Sequence, residues 1–188
     1  MYLKNFIIDY DNNIKEIVKW VSLKSEEKYI EYAKILVKNG VKDISWKQLD
    51  DYFRYDKRLL FNLFRYFSMF EEFLRAKLVN ANIYKLKELD KLLFSKLYDR
   101  VIDNLDKIDL NGCDKDIYAK NNFIIIGKLR NVVCHQRIVV NFKYEEIKIE
   151  DAIKLFSKFL PETYRTNFIR QINECKNKLY ESRFYISL

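Results

Sequence analysis

Glycine and proline are nearly absent from this chain of 188 residues, which has three of the first and one of the second. A sheet protein of this length needs many tight turns, and tight turns draw on those two residues. Their scarcity argues against a strand-rich fold and for long helices joined by few loops. Cysteine is equally thin. Cys113, Cys134 and Cys175 are odd in number, far apart and without a Cys-x-x-Cys pair, which argues against a disulfide framework or a zinc site and fits a reducing cytoplasm. The longest purely apolar run, residues 123–126, is far too short to span a bilayer. Met1-Tyr2-Leu3-Lys4-Asn5 has neither a sustained apolar run nor a small-residue cleavage site, so no signal peptide is expected. No dense cluster of Asp, Glu and His suggests a catalytic metal. The expectation is a cytoplasmic protein with no membrane partner, no metal and no cofactor.

What is present fits a soluble globular protein: 49% hydrophobic and 33% charged residues, with 14 Phe and 14 Tyr to fill a helical core. Lys and Arg total 35 against 27 acidic residues, a formal charge of +8. That excess favours a polyanionic partner without choosing between nucleic acid, acidic protein and membrane surface. No repeat, low-complexity linker or Pro-rich hinge divides the sequence, so one all-helical domain over residues 1–188 is expected.

Helical spacing joins Ile14, Ile17, Val18 and Val21, and again Tyr29, Ala33, Leu36 and Val37, with Asn39-Gly40 as a stop. Ser45 suits the cap of a short helix over 46–55. Asp56 then opens a strong amphipathic stretch in which Leu59, Leu60, Leu63, Phe64, Phe67, Phe70, Leu74 and Leu78 recur at three and four residues, to about Asn80. Further helices are predicted over 84–105 and 117–135, with Asn111-Gly112 as a turn between them. An extended or irregular piece follows at 138–144, then a helix over 145–160. Pro161 suits the first turn of a last helix. Helix after helix with short connections is the pattern of a bundle.

His135, the single histidine, closes the run Lys128-Leu129-Arg130-Asn131-Val132-Val133-Cys134-His135-Gln136-Arg137. Asn131 and His135 lie four apart, on one helix face. Arg130 sits on a neighbouring flank with a side chain long enough to reach the same space. An imidazole near neutral pKa moves protons at physiological pH, and a guanidinium offers a planar fork of donors to phosphate. Asn131 suits orienting the imidazole or holding a phosphate or ribose hydroxyl. Together these groups fit metal-independent RNA cleavage, in which the ribose 2′-OH attacks its own phosphate. The bland alternative is a capping histidine beside ordinary polar residues.

Lys128 and Arg137 flank the segment and suit phosphate positioning, or else a solvated basic rim. Glu71, Glu72 and Arg75 on the long helix suit either an ion pair orienting Arg130 or plain surface pairs. The aromatic stripe Phe61, Phe64, Phe67 and Phe70 reads as core rather than a base-stacking platform.

The run Arg130-Asn131-x-x-x-His135 resembles the motif of the HEPN superfamily: an Arg, commonly a polar residue, and a His a few positions on. Asp56-Lys57-Arg58-Leu59-Leu60-Phe61, followed by Glu72-Phe73-Leu74-Arg75, resembles the Abi-like (abortive infection) pattern within it, and the two regions cover about residues 50–145. Cys134 stands where Ala is common, and Arg137, Ile138 and Asn141 approximate the usual continuation. The resemblance implies a HEPN-like helical bundle with additional N- and C-terminal helices, dimerisation, and RNase activity in phage defence or a toxin–antitoxin setting. It implies Arg130 and His135 as the catalytic pair, with Asn131 in support and RNA as substrate. A small RNA or a protein antitoxin would restrain it. Cleavage with both a general base and a general acid calls for two imidazoles, which points to a homodimer with a composite site. The competing readings are a non-catalytic RNA-binding module and a purely structural helical interaction protein.

Overall fold

The computed structural model describes residues 2–176 together with Ile186 and Leu188. They are mostly helical: α1 (Ile14–Lys24), α2 (Glu26–Lys38), α3 (Trp46–Asn80), α4 (Leu86–Leu89), α5 (Phe94–Ile102), α6 (Lys120–Cys134), α7 (Ile149–Phe159) and α8 (Glu162–Glu174). A two-residue hairpin, β1 (Lys143–Tyr144) against β2 (Ile147–Lys148), is antiparallel with Tyr144 opposite Ile147. The fold is all-α. No helix among the described residues is long and apolar enough to cross a membrane.

The described residues divide into two compact units, residues 2–58 with Lys176 and residues 59–175 with Ile186 and Leu188. In the first, the buried rings of Tyr29 and Tyr32 pack on Phe53, and their hydroxyls donate to the buried carboxylates of Asp50 (3.1 Å) and Asp56 (2.5 Å). Arg54 Nε also donates to Asp50, at 2.6 Å. Burial pushes both phenols well above the ordinary tyrosine range, and the adjacent carboxylates add to the shift. Asp56, one of the residues in the resemblance, is a fully buried acceptor for Tyr32.

The second unit is built on aromatic packing. Phe67 stacks on Phe156 at 4.1 Å, while Phe70 meets Phe156 and Phe159 edge-on at 5.8 Å. Tyr66 packs against Phe168 at 4.9 Å. Each fully buried ring of this kind contributes about 1.5–3 kcal/mol by removal from water, with a further ~0.5–1.5 kcal/mol for good ring geometry. α7 buries Ile149, Ala152, Ile153, Phe156 and Phe159, one apolar stripe of an amphipathic helix.

Three helices end in the same motif. Val41 N–H reaches back to Leu36, Ile83 N–H to Leu78 and Arg137 N–H to Val132, each closing a six-to-one bond around a left-handed residue. That residue is Gly40 (φ 89°) after α2, Asn82 (φ 57°) after α3 and Gln136 (φ 52°) after α6. Gly and Asn tolerate this conformation; Gln is an unusual occupant.

Several boundaries differ from the sequence expectation. Ser45 Oγ accepts from Gln48 N–H at 3.2 Å, the cap expected, but α3 then runs unbroken through Asp56. The helix predicted over 84–105 is two, because Leu89 and Phe94 are both buried. Five residues apart, they would point about 140° away from each other on one helix. A short 3-10 turn at Lys115–Tyr118, capped by the Asp114 side chain, precedes α6. Residues 143–148 form the hairpin, so α7 starts at Ile149. Pro161 caps α8 from outside, its carbonyl accepting from Tyr164 and Arg165. Finally, Phe67 and Phe70 are core, but Phe61 and Phe64 are 70% and 51% exposed.

Candidate functional site

α6 buries Phe123, Ile126, Leu129 and Val133 on one side, which fixes the rotation of its last two turns. That rotation leaves Arg130 half-buried and Asn131 exposed. Glu71 on α3 fixes the guanidinium: its Oε1 accepts from Arg130 Nε at 3.1 Å and from Nη2 at 3.0 Å. The other carboxylate oxygen accepts from Arg75 Nη2 at 3.3 Å, so one acid sits between two arginines. Phe94 supports Arg130 from the ring side, with the guanidinium carbon 5.5 Å from its centroid. Glu71 occupies the Nε–Nη2 edge. Nη1 makes no hydrogen bond with a described residue, which leaves the Nη1–Nη2 edge turned away from Glu71, and that edge matches two phosphate oxygens. The net charge of the Arg75–Glu71–Arg130 group is +1. Glu71 therefore serves both sequence readings, as an i,i+4 pair with Arg75 and as a clamp on Arg130; Glu72 is exposed.

His135 is the cap residue at the end of α6, its backbone N–H donating to Asn131 O at 3.0 Å. Its imidazole is exposed and makes no hydrogen bond or ion pair with any described residue. Gln136, left-handed, turns the chain immediately after it.

A cleft of about 910 Å³ opens between α5 and α6, in the size range that holds small organic ligands. Lys128, Arg130 and Asn131 line it; His135 and Arg137, both exposed, do not. The Lys128 ammonium lies 5.8 Å from the Tyr144 ring. Three of the five sequence candidates thus share one wall of the cleft. The other two sit at and beyond the helix end.

Residues that sequence reading passed over complete the cleft. Asp99 on α5 and Asp103, the cap residue just past its end, give it an acidic lining beside the Lys120, Lys128 and Arg130 lining from α6. Phe94, Tyr98 and Phe123 form its floor. Gly127 lines the cleft in mid-helix, and a methyl group there would meet nothing within 4 Å. A helix-interior glycine costs about 0.5–1 kcal/mol relative to alanine, and no tight packing on Gly127 explains it. The signal in the sequence was faint: a polar stripe on α5 reads alike whether it faces bulk water or a cleft.

Cys134 is half-buried, and burial pushes its thiol up; the Arg130 charge opposes that shift and Glu71 adds to it. A thiol held protonated is a poor nucleophile, which leaves packing as its role. Among the described residues, no group of three His, Cys, Asp or Glu is placed to hold a metal ion. No protein-family model, curated protein or solved structure matches this chain.

Proposed function

We propose that this chain is a metal-independent endoribonuclease of the HEPN, Abi-like kind, acting as a homodimer in abortive infection or as a toxin. The observation that carries the reading is Arg130: clamped by Glu71 along one edge, open along the other, and five residues ahead of an exposed imidazole at the helix end. The open guanidinium edge binds the scissile phosphate and stabilises the negative charge that grows on its oxygens as the 2′-oxygen attacks. His135 takes the proton from the 2′-OH. The P–O5′ bond breaks, the leaving 5′-oxygen receives a proton, and the products are a 2′,3′-cyclic phosphate and a 5′-OH end. Asn131, which lines the cleft beside Arg130, holds a phosphate or ribose hydroxyl. Lys128 and Arg137 position flanking phosphates without reading bases.

One chain supplies one imidazole, and the second proton transfer needs another. A two-fold partner supplies it, so the site is composite and the dimer is the active species. A forced monomer that cuts as fast as the wild-type protein contradicts this part. The charge of +8 suits both an RNA substrate and restraint by a structured small RNA or an acidic antitoxin. A second reading, RNA binding without cleavage, draws support from the same imidazole, which has no described residue orienting it.

Incubating the purified protein with RNA in excess chelator, then identifying the ends, tests the reading. Cyclic phosphate and 5′-OH ends are expected. Ends bearing a 3′-OH and a 5′-phosphate, or intact RNA, contradict it.

A further inference from the structure

Resting on the ribonuclease reading, we propose that the α5–α6 cleft is a guanine subsite beside the scissile phosphate, with Asp99 accepting the base's N1–H and N2–H donors. The two walls of the cleft have opposite chemistry. The α6 wall carries Lys128 and Arg130 and suits phosphate; the α5 side carries Asp99, with Asp103 just past the helix end, and these repel phosphate and accept hydrogen-bond donors. A nucleotide is a ligand with phosphate at one end and, in some bases, donors at the other. Single-stranded RNA presents that base edge freely. Among the four bases, guanine alone places two donors side by side, matching the two oxygens of one carboxylate. Adenine and cytosine set a ring-nitrogen acceptor beside their amino group, and uracil flanks its single N–H with carbonyls, so each turns a lone pair toward the carboxylate.

Asp99 lines the same cleft as Arg130, a rise of roughly 7.5 Å along α5 from Phe94, the ring beside the guanidinium. Tyr98, its neighbour, stacks on Phe123 in the cleft floor, which fixes that turn of α5 against α6. The present partner of Asp99 is Lys96 at 3.5 Å, with both side chains at least 60% exposed, a weak pair that a base can replace. Gly127 leaves open the space that a planar base would fill.

The test titrates the full-length protein with guanosine, adenosine, cytidine and uridine 3′-monophosphates, following binding by calorimetry. In the wild-type protein the guanosine nucleotide is expected to bind about tenfold or more tightly than the other three. Asp99→Asn should bring it to their level, and Gly127→Leu, which fills the cleft, should weaken all four. Equal affinities in the wild-type protein, or a guanine preference that Asp99→Asn leaves intact, overturn the proposal; the first comparison depends on no variant folding. The two readings fail separately. RNA left uncut while guanine is preferred defeats the ribonuclease and leaves the subsite, whereas RNA cut without guanine preference defeats the subsite alone.

Discussion

Glu71 and Arg130 stand 59 positions apart in the chain, and one carboxylate oxygen of the first accepts two N–H groups of the second, at 3.0 and 3.1 Å. The bond ties the long helix α3 to the last turn of α6. It also spends the inner edge of the guanidinium and leaves the outer edge for substrate. Both side chains are shielded, at 15% and 27% exposed, so the pair is screened less than an ordinary surface bridge.

Replacing Glu71 with Gln keeps the shape and removes the charge. The expected loss of stability is about 1–2 kcal/mol, below the full cost of breaking a buried pair because water still reaches Arg130. Urea unfolding measures it. Cleavage should fall by about tenfold or more, since a mispositioned phosphate-binding group loses transition-state contacts. A variant as stable and as active as the parent contradicts the clamp.

Gln136 holds φ at 52° directly after His135. Glycine adopts that conformation freely, so Gln136→Gly should stabilise the fold by about 0.5–1 kcal/mol, with Gln136→Val moving the other way. Thermal midpoints should shift by roughly 1–4 °C for such a change. A destabilised glycine variant argues that the turn is held by something other than this backbone bond pattern.

Burial raises the phenol pKa of Tyr29, Tyr32, Tyr98 and Tyr118, so the folded chain keeps protons that the unfolded chain gives up near pH 10. Their contribution to stability is complete below about pH 10 and is lost as pH rises beyond it. Phenolate absorbance in an alkaline titration should show a late-ionising group of tyrosines in the native protein, merging with the rest in urea. Uniform ionisation in the native protein counts against these burials.

The Cys134 thiol is pushed up by burial, so alkylation near neutral pH should be slower than for a free cysteine peptide. Cys134→Ala should retain cleavage within about threefold, as a packing change beside a catalytic group does when no chemistry is lost. Loss of cleavage comparable to that of a catalytic variant would restore the thiol as a candidate nucleophile.

The all-helical class was legible because scarce glycine and proline leave little alternative, and Ser45, Asn39-Gly40 and Asn111-Gly112 marked real caps and turns. Cys113 N–H closes the last of these on Leu110, with both Asn111 and Gly112 left-handed. The phenylalanine stripe misled for a geometric reason. Steps of three fall short of a full turn, so over nine residues Phe61 drifts about 180° from Phe70 and faces out, while steps of three and four combined hold Leu63, Phe67, Phe70, Leu74 and Leu78 inward. The cleft was illegible for another reason. Its acidic wall comes from α5, and nothing in the spacing of Asp99 and Asp103 says which helix they face. Arg130 was singled out by its distance from the one histidine, but the contact that orients it depends on α3 and α6 meeting, which no local pattern encodes.

The most direct measurement compares wild-type protein with His135→Ala for RNA cleavage and RNA binding under the same conditions, in chelator. His135 is exposed and makes no side-chain hydrogen bond or ion pair with a described residue, so the variant should fold normally. Cleavage should drop by about 10²–10⁴-fold, the usual loss on removing a general acid or base, while binding changes by no more than about threefold, since the phosphate contacts remain. A His135→Ala protein that cuts RNA as fast as the wild type contradicts the account.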